Sequence, residues 1–468
     1  MLNFKHLKLY KYPILGSILS LVFYLSFAYD LDRSNHIKLL LLYASLWVGF
    51  YFLLKFAKHN LKALTIIAFI FRAVFILSIP NLSQDFYRFI WDGRLVLAGL
   101  NPYIFTPESL ISATHIPIAQ AQQLYEGMGQ LSATHFSNYP PLNQLCFSVA
   151  AFFAGHSILG SVVVLRLIII AADFGTLCFG RKLLRKLKLP EHYIFWYMLN
   201  PFIIIELTGN LHFEGLMIFF LAWSLSLLFS NQWKGAAMVF ALSVSVKLMP
   251  LLFLPLLFGY FQKPKTSASA IETGETQRRT PKLSLRTLFS FYVIVGVVTT
   301  LLFAPFFSLE FLNNYSETVA LWFTNFEFNA SIYYLAREIG YGITGYNEIA
   351  IIGKTLALVT FLLIMGLAIF RRKKDAQRFI SQLLIAFAIF LFLSTTVHPW
   401  YLTTLLFLSV FTNYKFPLVW SAVIILSYLA YTTTNETGSH ENLWLIGLEY
   451  SLVFGFIIWE GLLKKKPT

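Results

Sequence analysis

The sequence predicts an all-α, polytopic integral membrane protein of about 13–14 transmembrane helices, with a long first extracytoplasmic loop carrying interfacial helices. Three observations point there. Of 468 residues, 57% are apolar and 12% charged, where a soluble domain carries about 25% charge. Apolar runs of about 20 residues, the length that crosses hydrocarbon as a helix, recur from end to end. Most of the 36 Lys and Arg fall in alternate gaps between those runs, so the net charge of +14 reports orientation in a membrane rather than nucleic-acid binding. This composition excludes a secreted disulfide scaffold, a disordered tail and a cytosolic enzyme. The two cysteines, Cys146 and Cys178, signal no disulfide framework.

The runs at 12–29, 37–56, 62–79, 158–180, 191–207, 214–230, 287–305, 348–370, 378–396, 416–432 and 443–462 each read as one crossing. Residues 236–261 are too long for one span, and Pro250 removes a helix hydrogen bond, so they read as a broken hairpin turning at 247–250. The apolar run at 397–413 is short. Residues 140–155 open with Tyr139-Pro140-Pro141, which suits a rigid entry to an interfacial or re-entrant helix.

Basic clusters set the orientation: Lys5, Lys8 and Lys11; Lys55, Lys58 and Lys62; residues 181–188; 263–286; 371–374; and 464–466. All fall on one side, which is then cytoplasmic, with both termini there. The first run lacks a clean small-residue cleavage site and reads as a span rather than a signal peptide. The chain is therefore expected to be a single transmembrane domain over 1–468, with a flexible cytoplasmic loop at 263–286 and extracytoplasmic loops at 80–157 and 306–347. Function is expected in those two outer segments, which hold the polar residues that spanning and orientation leave unexplained.

The first outer loop opens SQDFYRFIWDGRLVLAGLNPY at 83–103 and places Asp85, Arg88, Asp92 and Arg94 beside a membrane face. On a helix, Asp85 and Asp92 share a face with Arg88 between them. That spacing can pin one carboxylate and free the other. It equally describes a charge-paired interfacial helix stapled by Tyr87 and Trp91. Lys247 sits inside an apolar run, where an unpaired ammonium costs roughly 2.5–3.5 kcal/mol, so it needs a partner: a lipid phosphate, or a helix acid such as Glu206 or Asp173. His212 and Glu214 adjoin at an outer turn, where they suit sugar hydroxyls or a divalent ion, though one His and one Glu are few ligands for a metal site. In the second outer segment Tyr315, Trp322, Phe323, Phe326, Phe328, Tyr333 and Tyr334 stand near Glu317, Asn325, Glu327 and Asn329. Aromatic faces beside carboxamides suit sugars, and they also suit an interfacial belt. No Gly-rich phosphate loop after a strand is visible.

Together DFYRFIWDGRLVLAGLNPY (85–103), NYPPLNQL (138–145), GNLHFEGL (209–216), VKLMPLLFLPL (246–256) and HPWYL (398–402) resemble the bacterial polyprenyl-phosphate-mannose-dependent mannosyltransferases of the GT-C membrane glycosyltransferase superfamily. The resemblance implies a lipid-linked hexose donor, mannose first, and an acidic residue early in the first outer loop as catalytic base, here Asp85. It also implies a β-linked donor phosphate, hence inversion to an α-mannoside. On that pattern Lys247, Arg88, Arg94 and His398 are candidate contacts to the donor phosphate or sugar. Asp92, Tyr139, His212, Glu214, Trp400 and Tyr401 are candidate substrate-binding residues. No metal or other cofactor is expected to be required. The partners are a polyprenyl-phosphate sugar, a glycan, glycolipid or protein acceptor, and membrane lipid, without nucleic acid, in a multi-pass inner-membrane protein whose site faces outward. Two readings from other classes stay open on residues alone, a transporter or lipid-linked glycan flippase and a noncatalytic assembly subunit. A transporter of this size is expected to show interrupted helices in matching halves, and the sequence shows no matching halves.

Overall fold

A computed structural model describes residues 4–112, 116–261, 284–370, 375–431 and 441–462. Most of the expected loop at 263–286 and the basic clusters at 371–374 and 464–466 lie outside the described residues. The protein is all-helical. Seven helices among the described residues are long and apolar enough to cross a membrane: Lys11–Tyr29, His36–Ala57, Ile158–Lys186, Leu285–Phe306, Ile349–Phe370, Ala376–Leu393 and Leu443–Leu462. Pro201–Gly209 and Glu214–Leu228 form an apolar pair bent by 113°, long enough together for a broken span or a re-entrant loop.

The remaining apolar runs of the expected 13–14 crossings are built as short or interrupted helices. Trp233–Val246, Met249–Phe261 and Phe416–Ala430 are too short to cross as straight spans, and Pro141–Ala154, expected as an interfacial or re-entrant helix, is a short helix as well. The run read at 62–79 stops as a helix at Ala73, and 397–413 becomes a 3₁₀ turn, Pro399–Tyr401, followed by the helix Leu402–Ser409. Broken helices survive at membrane depth only where protein groups satisfy the freed backbone. Arg166 does this for two breaks at once. Its guanidinium donates to the carbonyls of Ile76 (3.0 Å) and Ser78 (2.7 Å), beyond the helix ending at Ala73, and to those of Thr208 (2.8 Å) and Gly209 (3.0 Å). The break after Trp233–Val246 falls where the sequence places it. Lys247 is extended (φ −148°, ψ 142°), and the turn Met249–Phe253 follows with Pro250 near its start.

Arg72 and Asp173 form a fully buried ion pair, Nε to Oδ2 2.6 Å, and Arg72 also donates to the carbonyls of Ala68 (3.0 Å) and Met198 (2.7 Å). Removing one member of such a pair strands the other charge in low dielectric. Arg72→Met is therefore expected to cost about 3–5 kcal/mol, read as a lowered thermal midpoint in detergent. Adding Asp173→Leu is expected to recover most of that loss, and no recovery would assign the cost to packing instead.

The helix Asp85–Leu97 packs on Pro141–Ala154 so closely that a Cβ on Gly93 would lie 2.2 Å from the Phe147 carbonyl oxygen, which is why glycine stands there. Between residues 306 and 347 the helices are Leu309–Thr324 and Ile332–Thr344. Between them, Phe328 exchanges backbone hydrogen bonds with Thr395 (3.1 Å) and Val397 (2.8 Å), which ties this segment to the stretch entering His398.

Candidate active site

Asp85 is the first residue of its helix, and its backbone N–H donates to the Ser83 hydroxyl at 3.3 Å. The residue is half-buried and lies outside the spanning helices. Burial pushes its carboxyl above the usual carboxylate range, while the charges of His212 and Lys247 draw it back. Glu214 adds to the rise, and the Tyr139 hydroxyl donates toward the carboxylate and opposes it. A carboxylate under that pressure takes up a proton readily.

Lys247 reaches this group because the helix before it has ended. Its Nζ lies 2.9 Å from Glu214 Oε1, and the pair is unequal: the lysine side chain keeps 21% exposure while Glu214 has 1%. The partner is thus Glu214, while Asp173 belongs to Arg72 and Glu206 to His212. The ammonium also faces the rings of Tyr139 (5.7 Å) and Tyr401 (5.9 Å). It lines a cavity of about 170 Å³ whose wall includes Asn138, Tyr139, Met249, Thr396 and Tyr401. A cation and two ring faces around one opening can hold an anion next to a sugar.

His212 sits at the 113° bend, 3.3 Å from Glu206 Oε2 through Nδ1 and 3.3 Å from Ser83 Oγ through Nε2. Its ring stacks on Trp400 (3.9 Å), Trp400 on His398 (4.5 Å), and His398 against Phe328 (5.2 Å). Burial lowers the His398 pKa to about 3, with Lys247 and His212 adding to the effect, so His398 is a neutral ring that can donate or accept one hydrogen bond. Glu206 is buried and accepts from the Tyr428 hydroxyl at 2.9 Å and from Asn210 at 3.4 Å.

The structure therefore places Tyr139, Lys247 and Tyr401 on the cavity wall and gathers Asp85, His212, Glu214, His398 and Trp400 into one cluster with them. It engages Arg88, Asp92 and Arg94 elsewhere. Arg88 Nε donates to Asp92 at 2.7 Å and its Nη1 to the carbonyls of Ser132 (2.6 Å) and His135 (2.9 Å). Asp92 also accepts from Ser137 (2.6 Å) and Gln144 (3.0 Å). Arg94 holds Ala119, Gln120 and His156. These three fasten the loop that covers the helix, which matches the charge-paired alternative for this stretch. Within residues 306–347 Tyr333 donates to Glu327 at 2.6 Å and Arg337 pairs with Glu327 at 2.7 Å. Those groups serve the segment's own packing. Ser83, Glu206 and Tyr428 were not singled out as site residues from sequence. Only Glu206 carried a signal, an acid inside the apolar run NPFIIIELTGN.

Residues 35–262 match a family described as alpha-(1->6)-mannopyranosyltransferase, N-terminal domain. Over that stretch, just under half of its length, the chain is similar to this mannosyltransferase family. Alpha-(1->6)-mannopyranosyltransferase A of Mycobacterium tuberculosis is 22% identical over 201 residues, which are 43% of this chain and 36% of that protein. The span shared with this mannosyltransferase family includes Asp85, Tyr139, Glu206, His212, Glu214 and Lys247, whereas His398, Trp400 and Tyr401 lie beyond it.

Proposed function

We propose that the chain is an inverting glycosyltransferase that moves a hexose, mannose first, from a polyprenyl-phosphate donor to an acceptor hydroxyl on the extracytoplasmic face of the inner membrane, with both termini cytoplasmic. The observation that carries this reading is the half-buried Asp85 carboxylate within electrostatic reach of Lys247 and Tyr139, both of which line the cavity. Asp85 takes the proton of the acceptor hydroxyl as that oxygen attacks the anomeric carbon. The bond from that carbon to the phosphate oxygen breaks on the opposite face, and the electron pair leaves with the polyprenyl phosphate. Because a phosphate departs as a stable anion, one carboxylate suffices where glycosidases use two. Lys247 offsets the charge that develops on the leaving group. Tyr139, Trp400 and Tyr401 supply faces for the sugar ring. The reaction so written calls for no cofactor.

The test is incubation of purified protein with labelled polyprenyl-phosphate mannose and a membrane extract, followed by identification of the labelled product. A new α-mannoside supports the reading. Movement of the lipid-linked sugar across proteoliposomes with no glycosidic product overturns it. The rate should also depend on pH in a stated direction. Asp85 works ionised and its pKa is raised, so activity falls as pH drops through a value above about 3.9, the ordinary aspartate figure. Removing a neighbouring positive charge, as in Lys247→Gln, is expected to move that acid limb higher still. An acid limb at or below the ordinary value would contradict the assignment.

A further inference from the structure

We propose that Glu206 and His212 form a positioning dyad for the base: acting through the Ser83 hydroxyl, they fix the first turn of the helix that carries Asp85. This rests on the reading of Asp85 as the base. The chain of contacts is continuous. Tyr428 and Asn210 hold Glu206, Glu206 Oε2 faces His212 Nδ1 at 3.3 Å, His212 Nε2 faces Ser83 Oγ at 3.3 Å, and Ser83 Oγ accepts the Asp85 backbone N–H at 3.3 Å. Both ring nitrogens face oxygens, a carboxylate on one side and a hydroxyl that already accepts a hydrogen bond on the other. A hydroxyl can donate as well as accept, so the ring is held between two oxygens on opposite sides. The Trp400 ring stacks on the imidazole at 3.9 Å and fixes the ring's plane.

Backbone irregularity supports a built device. Glu206 lies on a π-helical turn, Ile204–Gly209, and Leu211, immediately before His212, is left-handed at φ +62°. A buried leucine does not adopt that conformation without constraint, and irregular turns of both kinds gather where side chains must be aimed. Glu206 and His212 are 1% and 2% exposed, which removes them from direct contact with a sugar and distinguishes them from Lys247.

The groups that face Asp85 are His212, Lys247, Glu214 and Tyr139, with the phenols of Tyr401, Tyr428 and Tyr431 behind them. Of these, His212 alone also reaches the Asp85 backbone through a hydroxyl. The experiment uses the full chain in detergent or nanodiscs with polyprenyl-phosphate mannose, comparing His212→Gln, Glu206→Gln, Ser83→Ala and Ser83→Thr with Asp85→Asn as reference. The two dyad variants are expected to lower kcat on the order of a hundredfold. Donor KM should stay within about threefold of the parent, and in His212→Gln the acid limb of the pH profile should move upward, because the variant loses the influence of His212 that holds the Asp85 carboxyl down. Ser83→Ala should lower kcat and Ser83→Thr should restore it. Should His212→Gln fail to fold, the Ser83 pair decides: equal activity in alanine and threonine overturns the proposal. A kcat loss in His212→Gln with the acid limb unmoved marks a structural role and overturns it too. Parental kinetics in His212→Gln beside an inactive Asp85→Asn would reject the dyad and leave the base standing, whereas an active Asp85→Asn would reject both.

Discussion

Asp85→Asn is expected to reduce mannosyl transfer by a factor on the order of 10² to 10⁴, the contribution of a positioned general base, while the protein still inserts and folds. The amide keeps the size of the carboxyl and can still accept from Tyr139, but it cannot take a proton from an attacking alcohol. Its effect on the fold should be small. Burial is the largest influence on the Asp85 carboxyl and disfavours its charged form, so a neutral replacement relieves a cost that the active residue carries. Turnover measured with labelled donor, alongside the thermal midpoint, separates the two effects. Full turnover in a folded Asp85→Asn protein would remove Asp85 from its role.

Lys247→Met is expected to raise the donor KM by about 10- to 100-fold, the loss of a charge-assisted contact of roughly 1.5–3 kcal/mol. The same substitution strands Glu214, which is 1% exposed and lies 2.9 Å from the ammonium, at a cost of about 3–5 kcal/mol in stability. The two consequences need separating. In Lys247→Met/Glu214→Gln no buried carboxylate is left unpaired, so the thermal midpoint should return toward the parental value while donor binding stays weak. Recovery of donor binding together with stability would show that Lys247 only shields Glu214 and does not meet the phosphate.

The legible parts of the site are those where a single residue conflicts with its solvent. An ammonium in the apolar run around 247 had to have a partner, and an aspartate opening a loop beside a membrane face stood out for the same reason. Arg88, Asp92 and Arg94 occupy the same short motif as Asp85, yet their partners come from Ser132, His135, Ser137, Gln144, Ala119 and His156. Helical spacing tells which charges share a face, but not which distant carbonyls arrive to occupy them. Glu206 shows the opposite case. Its position in an apolar run was conspicuous, but its direction depends on a π-helical turn that no local propensity signals.

Hydrophobic run length and charge decided by themselves that the protein is helical and lives in a bilayer, because a backbone in hydrocarbon must satisfy its own hydrogen bonds whatever the neighbours are. Spacing within a run also placed the break at Lys247, since proline withdraws a donor locally. Which apolar runs become straight spans and which become short or bent helices was decided only in three dimensions, where side chains such as Arg166 satisfy the carbonyls those bends release. The same holds for the convergence of Asp85, His212, Lys247 and Trp400. Their meeting depends on how separate helices pack, and packing is a property of the whole chain rather than of any stretch of it.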